Sequence, residues 1–128
     1  MVASLFDVPA ILAWLDATAG IDPIAEIGCG YGSFTVPISC AVPGTVHAYD
    51  IEPAMIVRAG ENARAAGVTN TRFHQRDVLE SGTGLSDGSM QTVLLFSIFH
   101  PRRNRSFLAE AARVLRESGY VRIIHWRK

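Results

Sequence analysis

Residues 24–32, IAEIGCGYG, constrain this chain more than any other stretch. Gly28, Gly30 and Gly32 occupy every second position behind a short apolar run that carries one carboxylate, Glu26. Glycines at that density let the backbone bend tightly and approach a ligand without interference from Cβ atoms. The run PIAEI (23–27) predicts a buried strand, and GSFTVPISCA (32–41) suits a helix that Pro37 must shorten or kink. A strand that runs into a glycine turn and then a helix is a ligand-binding device, because the helix begins with unpaired N–H groups.

The rest of the chain repeats that alternation. LFDVPAILAWLDATA (5–19) places Leu5, Val8, Ile11, Leu12 and Leu15 at helical spacing, with Asp7 as cap and Pro9 in the first turn. TVHAYD (45–50) reads as a strand from its β-branched and aromatic content. PAMIVRAGENARAAG (53–67) reads as a helix with Pro53 near its start and Gly67 past its end. TRFHQR (71–76) alternates in polarity like a half-exposed edge strand, and residues 80–89 read as a loop rich in Ser, Gly and Asp. TVLLFSI (92–98) is apolar throughout, as a strand covered on both faces is. Residues 104–117 carry Phe107, Leu108, Ala111, Ala112 and Leu115 on one helical stripe, and YVRIIHW (120–126) is a final strand. Strands alternating with helices predict one α/β domain over residues 1–128, a doubly wound, mostly parallel five-stranded sheet with helices on both faces.

Composition narrows the class further. Hydrophobic residues are 48% and charged residues 19%, so the chain is expected to fold as a globular protein. Twelve bases balance twelve acids, and a net charge of zero argues against general nucleic-acid affinity, making nucleic acid an unlikely partner. The charge is uneven, net −5 over residues 1–60 and +5 over 61–128, which reads as two differently charged faces of one domain. Cys29 and Cys40 form no CxxC and no Cys/His cluster, so no metal site is expected and both read as reduced thiols. Without a basic start followed by an apolar core, and without an apolar run near the roughly 20 residues of a membrane span, the expected location is the cytoplasm, with no membrane contact.

The ligand can be narrowed by spacing. A dinucleotide turn wants GxGxxG, whereas here the spacing is GxGxG and Ser33 stands where the third glycine would fall. Glu26 repels a pyrophosphate but suits an ammonium group. Asp50 ends the second strand and can accept hydrogen bonds from two ribose hydroxyls, of NAD or of any other adenosine. Asp77 follows the third strand; it suits an adenine amino group, or equally a turn or helix cap. Together the four features describe a ligand with an ammonium group, a ribose and an adenine, and no phosphate.

With those motifs in order, the chain resembles the class I S-adenosylmethionine-dependent methyltransferases. AEIGCGYG is similar to that family's first motif, HAYDIEPAMI to its second strand and following helix, RFHQRDV to its third-strand motif, DGSMQTVLLFSIFHP to its fourth, and FLAEAARVLRESGYVRIIHW to the helix and fifth strand. The resemblance spans about residues 20–126 and implies a strand order 3-2-1-4-5. It implies S-adenosylmethionine as cofactor, with contacts at Glu26, Gly28, Cys29, Gly30, Gly32, Asp50, Ile51, Met55, Asp77, Val78 and Phe96. It places His100 on the acceptor side as a candidate catalytic residue, although the simpler reading of a lone loop histidine is a solvated or hydrogen-bonded one. The implied reaction is methyl transfer to a small-molecule acceptor.

The departures from the family pattern carry expectations of their own. Gln91 stands where an acid usually opens the fourth-strand motif, and Ser118-Gly119 replaces a glycine pair. The family's sheet has seven strands, whereas this chain reaches Lys128 directly after the fifth. An exposed fifth strand is then expected to pair with a second copy in a homodimer. A second reading follows, a non-catalytic or truncated cofactor-binding module, open to completion by a partner chain. The basic run Arg102, Arg103 and Arg105 is expected to be solvated, Tyr31 to shield the cofactor's methionine end, and Trp14 and Trp126 to sit in a core or interface.

Overall fold

The sheet is held together at β1 (Ile24–Ile27), four residues with every side chain buried. A strand so short and so fully covered must lie in the middle of a parallel sheet. It pairs in parallel with β2 (Val46–Asp50) on one side and β4 (Met90–Phe96) on the other. The outer places belong to β3 (Thr71–Gln75) and β5 (Leu115–Ile124), also parallel, giving the order β3-β2-β1-β4-β5. The computed structural model describes residues 8–15, 20–96 and 104–124.

The helices α1 (Val8–Leu15), α2 (Thr35–Ala41), α3 (Pro53–Ala65), α4 (Val78–Ser81) and α5 (Asn104–Val114) alternate with the strands. Successive side chains of a strand point to opposite faces, and the two cores follow that period. Ile24 and Leu94 join Leu15 of α1 and Phe34, Ile38 and Val42 around α2 on one face. Ala25, Ile27, Val93 and Leu95 join Val78 of α4 and Phe107, Ala111 and Val114 of α5 on the other. α3 buries Ala59 and Ala63, small residues that let it lie close to its neighbours.

Three local expectations change. The stretch expected to be a loop opens with α4, a single turn capped by Asp77, whose Oδ1 accepts from the Leu79 and Glu80 N–H groups at 3.0 and 3.3 Å. α2 starts at Thr35, not at Gly32, so Pro37 falls in the first turn, where a missing N–H removes no helical bond. α5 ends at Val114, and Leu115 already faces Met90 in the sheet. A register shift then separates that contact from the regular pairing that starts at Tyr120 opposite Thr92.

A polar clamp fastens α5 to the loop after α4. Glu110 Oε2 accepts from both the N–H and the hydroxyl of Thr83 at 2.7 Å, and Arg113 donates to both Glu110 oxygens and to Asp87. The carbonyl of Thr83 in turn accepts from the buried Tyr49 hydroxyl at 2.9 Å. The Arg113 hydrogen bonds are the largest cause holding the Glu110 carboxyl down at about 2. A depressed folded-state pKa means stability that is present above the ordinary value and lost on acidification. Glu110→Ala is expected to cost about 2 kcal/mol in urea denaturation at neutral pH, with the deficit narrowing as pH falls from 4.5 toward about 2.

Candidate functional site

The carboxyl ends of β1, β2 and β3 open into a pocket of about 400 Å³. Gly28, Asp50, Ile51, Asp77 and Val78, all singled out from the sequence, stand in its wall. Tyr49, Arg76, Leu79 and Phe107 stand there too and were not anticipated. Arg76 had one available signal, its place directly before Asp77, and Phe107 had another, its place on the α5 stripe. This is the position the doubly wound topology reserves for ligands.

The glycine turn takes its shape from left-handed backbone. Gly28, Gly30 and Gly32 have φ of +83°, +57° and +92°, which residues bearing a Cβ adopt only with strain. At Gly32 an added Cβ would find room, in ordinary contact with Val36 and Ala59 at 3.4 and 3.5 Å, so the backbone angle alone favours glycine there. The turn is moored to β2. Gly28 N–H and Cys29 N–H both donate to the Tyr49 carbonyl at 2.8 Å, and Gly30 N–H donates to Asp50 Oδ2 at 2.9 Å. Asp50 Oδ1 accepts from Glu52 N–H at 2.9 Å. One carboxylate therefore fixes the turn after β1 and the turn after β2 relative to each other. Beside it Ile51 is 55% exposed, an apolar side chain offered to the pocket rather than to the core.

Glu26 sits behind this wall and not in it. It is 1% exposed, its Oε1 accepts from the Thr35 hydroxyl, and its Oε2 has no hydrogen-bond partner. Burial is the main reason its carboxyl is pushed up to about 7; the Thr35 hydrogen bond opposes that shift and the nearby Asp50 charge adds to it. Cys29 is buried too, and burial, with the Glu26 and Asp50 charges, pushes its thiol far above the usual range. It is a neutral thiol, donating to the Gly30 carbonyl at 3.4 Å. Gly30, Gly32 and Met55 also lie outside the pocket wall. Phe96 ends β4, but its side chain lies outside the described residues, as do His100, Arg102, Arg103 and Trp126. Tyr31 lies in the glycine turn with Arg58 over its ring at 5.6 Å, and Trp14, expected in a core or interface, is 48% exposed beneath Arg122 at 5.3 Å.

Next to the site, His47 Nδ1 and His74 Nε2 are 3.1 Å apart across β2 and β3, with His74 stacked on Tyr49. Burial, helped by the neighbouring positive groups, lowers both imidazoles below their ordinary value. At the opposite end of the sheet two departures from the family pattern meet. Gln91 Nε2 donates to the Ser118 carbonyl at 3.0 Å, and the Ser118 hydroxyl lies 3.4 Å from Gln91 Oε1. The glycine kept beside them is required, since a Cβ at Gly119 would meet the Gln91 carbonyl at 2.9 Å. Among the described residues no group of three or more His, Cys, Asp or Glu is placed to hold a metal, and no helix is long and apolar enough to cross a membrane.

Comparison with known proteins agrees with this geometry. The fold matches a SAM dependent methyltransferase from Aquifex aeolicus with TM-score 0.83 and 26% identity, over 96% of this chain and 65% of that one. It matches phosphoethanolamine N-methyltransferase 1 of Haemonchus contortus, solved with phosphoethanolamine and S-adenosylhomocysteine, with TM-score 0.75 and 25% identity over 88% of this chain and 24% of that one. Residues 24–119 match the methyltransferase domain family. The chain belongs to that family and is of its class I, S-adenosylmethionine-dependent kind. In sequence it is 32% identical over 116 residues to the 23S rRNA (uracil(1939)-C(5))-methyltransferase RlmD of Pseudomonas fluorescens, 89% of this chain and 24% of that protein. It is 37% identical over 75 residues to the Aeromonas salmonicida protein of the same name, 59% of this chain and 17% of that one. The chain thus spans about a quarter or less of the curated relatives it matches.

The buried carboxyl makes a stability prediction. A folded-state pKa raised to about 7 from 4.5 stabilises the fold below the ordinary value and is lost as pH rises through the raised one. Glu26→Gln removes that titration. Urea denaturation is expected to show the variant gaining on wild type by about 3 kcal/mol between pH 4.5 and pH 7.5; a constant difference across that window would contradict it.

Proposed function

We propose that this domain binds S-adenosylmethionine at the carboxyl ends of β1, β2 and β3 and transfers its methyl group to a small-molecule acceptor. The observation that carries the reading is the Asp50 carboxylate, tied to the Gly30 and Glu52 N–H groups and standing in the pocket wall. In this reading Asp50 accepts from the ribose hydroxyls, Ile51 and Val78 cover the adenine, and Asp77 accepts from its amino group while capping α4. Gly28, Cys29, Gly30 and Gly32 give the backbone room for close approach, and Met55 and Phe96 border the cofactor. Glu26, with an unpartnered buried oxygen, suits the ammonium group. The residues present fit the cofactor.

Bound S-adenosylmethionine supplies a methyl group on a sulfonium, open to direct displacement. The chain's part is to align the acceptor and to exclude water, so no strong acid or base is required. His100 is the proposed acceptor of a proton from the nucleophile. Cys29, held neutral by burial, does not serve as a nucleophile. The cytoplasm is the proposed location. A homodimer through β5, last in the sheet order, is the proposed assembly, and a monomer at high concentration in analytical ultracentrifugation would rule it out.

One observation favours a second reading, transfer to an RNA base. The curated relatives act, by name, on 23S rRNA, which removes the ground for setting nucleic acid aside on net charge alone. The non-catalytic reading loses one of its supports, because Gln91 pairs with Ser118 at the end of the sheet away from the pocket.

Calorimetric titration with S-adenosylmethionine, S-adenosylhomocysteine and NAD tests the cofactor site. Both adenosyl compounds are expected to bind and NAD is not, and Asp50→Ala should weaken binding at least about tenfold, the worth of a charge-assisted hydrogen bond. Methyl-labelled cofactor, offered with a metabolite extract or with ribosomal RNA, then separates the acceptors. Label in the small-molecule fraction supports the first reading, and label that ribonuclease releases from RNA replaces it with the second.

A further inference from the structure

Among the described residues Glu26 Oε2 is the buried side-chain oxygen left without a partner. Glu26 and Thr35 face each other across the glycine turn, the first on β1 and the second opening α2. What surrounds the carboxyl is neutral or of its own sign. Its neighbours on the flanking strands are Ala48 and Leu94, and α2 presents a hydroxyl. The titratable groups acting with it are the Cys29 thiol and the Asp50 carboxylate. Neither ion pair among the described residues involves it. A carboxyl so placed, with no cation, is held neutral by a proton. An ammonium group brought within about 4–6 Å reverses that preference.

Resting on the reading of the pocket as the cofactor site, we infer that Glu26 carries a proton in the free protein and releases it when the cofactor's amino-acid ammonium binds, with Thr35 as the positioning residue that fixes the carboxyl. The Glu26 O–H bond breaks, the proton passes to solvent, and the carboxylate pairs with the ammonium; no other bond changes. Glu26 stands outside the wall formed by Asp50, Ile51 and Asp77, so the proton divides the cofactor's two halves. The adenosine contacts meet it only through the Asp50 charge, whereas the ammonium contact pairs with it directly. The raised titration of Glu26, near 7, puts the exchange in the neutral range.

Calorimetry in two buffers of different ionisation enthalpy reads this directly, at about pH 6 and about pH 7.5. The probes are S-adenosylhomocysteine and 5′-methylthioadenosine, which keeps the adenosine and lacks the amino acid. S-adenosylhomocysteine is expected to release close to one proton at the lower pH and to bind about eightfold tighter at the higher. Methylthioadenosine should release none and keep its affinity. Thr35→Val should weaken only S-adenosylhomocysteine, severalfold, and Thr35→Ser should restore it. If the valine variant does not fold, the wild-type proton count and the serine variant still decide. Binding of S-adenosylhomocysteine without proton release overturns the inference, as does equal weakening of both ligands by Thr35→Val, and in either case the pocket reading stands. Binding of neither compound at either pH overturns the pocket reading, and the inference with it.

Discussion

The hydrogen bond from Gly30 N–H to the Asp50 carboxylate is the constraint on which the site depends. Neither partner has its geometry alone. The glycine turn places left-handed glycines at every second position, each free to take many other conformations when unfolded, so its order must come from outside. β2 supplies it, through the Tyr49 carbonyl for Gly28 and Cys29 and through Asp50 for Gly30. The same carboxylate holds the start of α3 through Glu52 N–H. Because β1 and β2 are locked in parallel register, with Ile27 opposite Tyr49, the turn can sit in only one place. The pocket wall follows from backbone pairing and needs few dedicated side chains.

Glu26 works against that economy. A buried carboxyl with one unpartnered oxygen destabilises the fold where it is ionised. The strand around it is otherwise apolar, and an amide or aliphatic side chain would fill the same place at less cost. A residue that weakens the core it sits in, beside a turn shaped for a ligand, is the pattern expected where function and stability pull apart. Thr35 moderates the conflict without removing it, since one hydroxyl satisfies one oxygen.

Much of the architecture was legible because periodicity reports burial directly. The apolar run at 92–98 and the stripe at 104–117 have no other simple meaning, and both became the elements they suggest, β4 from Met90 and α5 as far as Val114. The strand order was legible only through family resemblance. α4 escaped because it is a single turn that straddles the start of a stretch of loop composition, closed by the Asp77 cap. Of the two roles its position allows Asp77, adenine contact or cap, its Oδ1 fills the cap. Thr35 and the His47–His74 pair were invisible for another reason. Their partners lie 9 and 27 positions away, and only the register of the sheet and the reversal at the glycine turn bring them together.

Position in the fold also decides what a motif departure means. Gln91 in place of an acid suggested lost chemistry while it was only a letter in a motif. In three dimensions it opens β4, at the end opposite the pocket, and its amide spans to Ser118 in the irregular start of β5. That bond is to the Ser118 backbone carbonyl, so it ties β4 to β5 whatever side chain stands at 118. Gly119 stays glycine because the Gln91 carbonyl leaves no room for a Cβ. A side chain that ties two strands together at the far end of a sheet supports strand pairing and is silent about catalysis. The pocket residues proposed to hold the cofactor, from Gly28 to Asp77, are gathered at the other end.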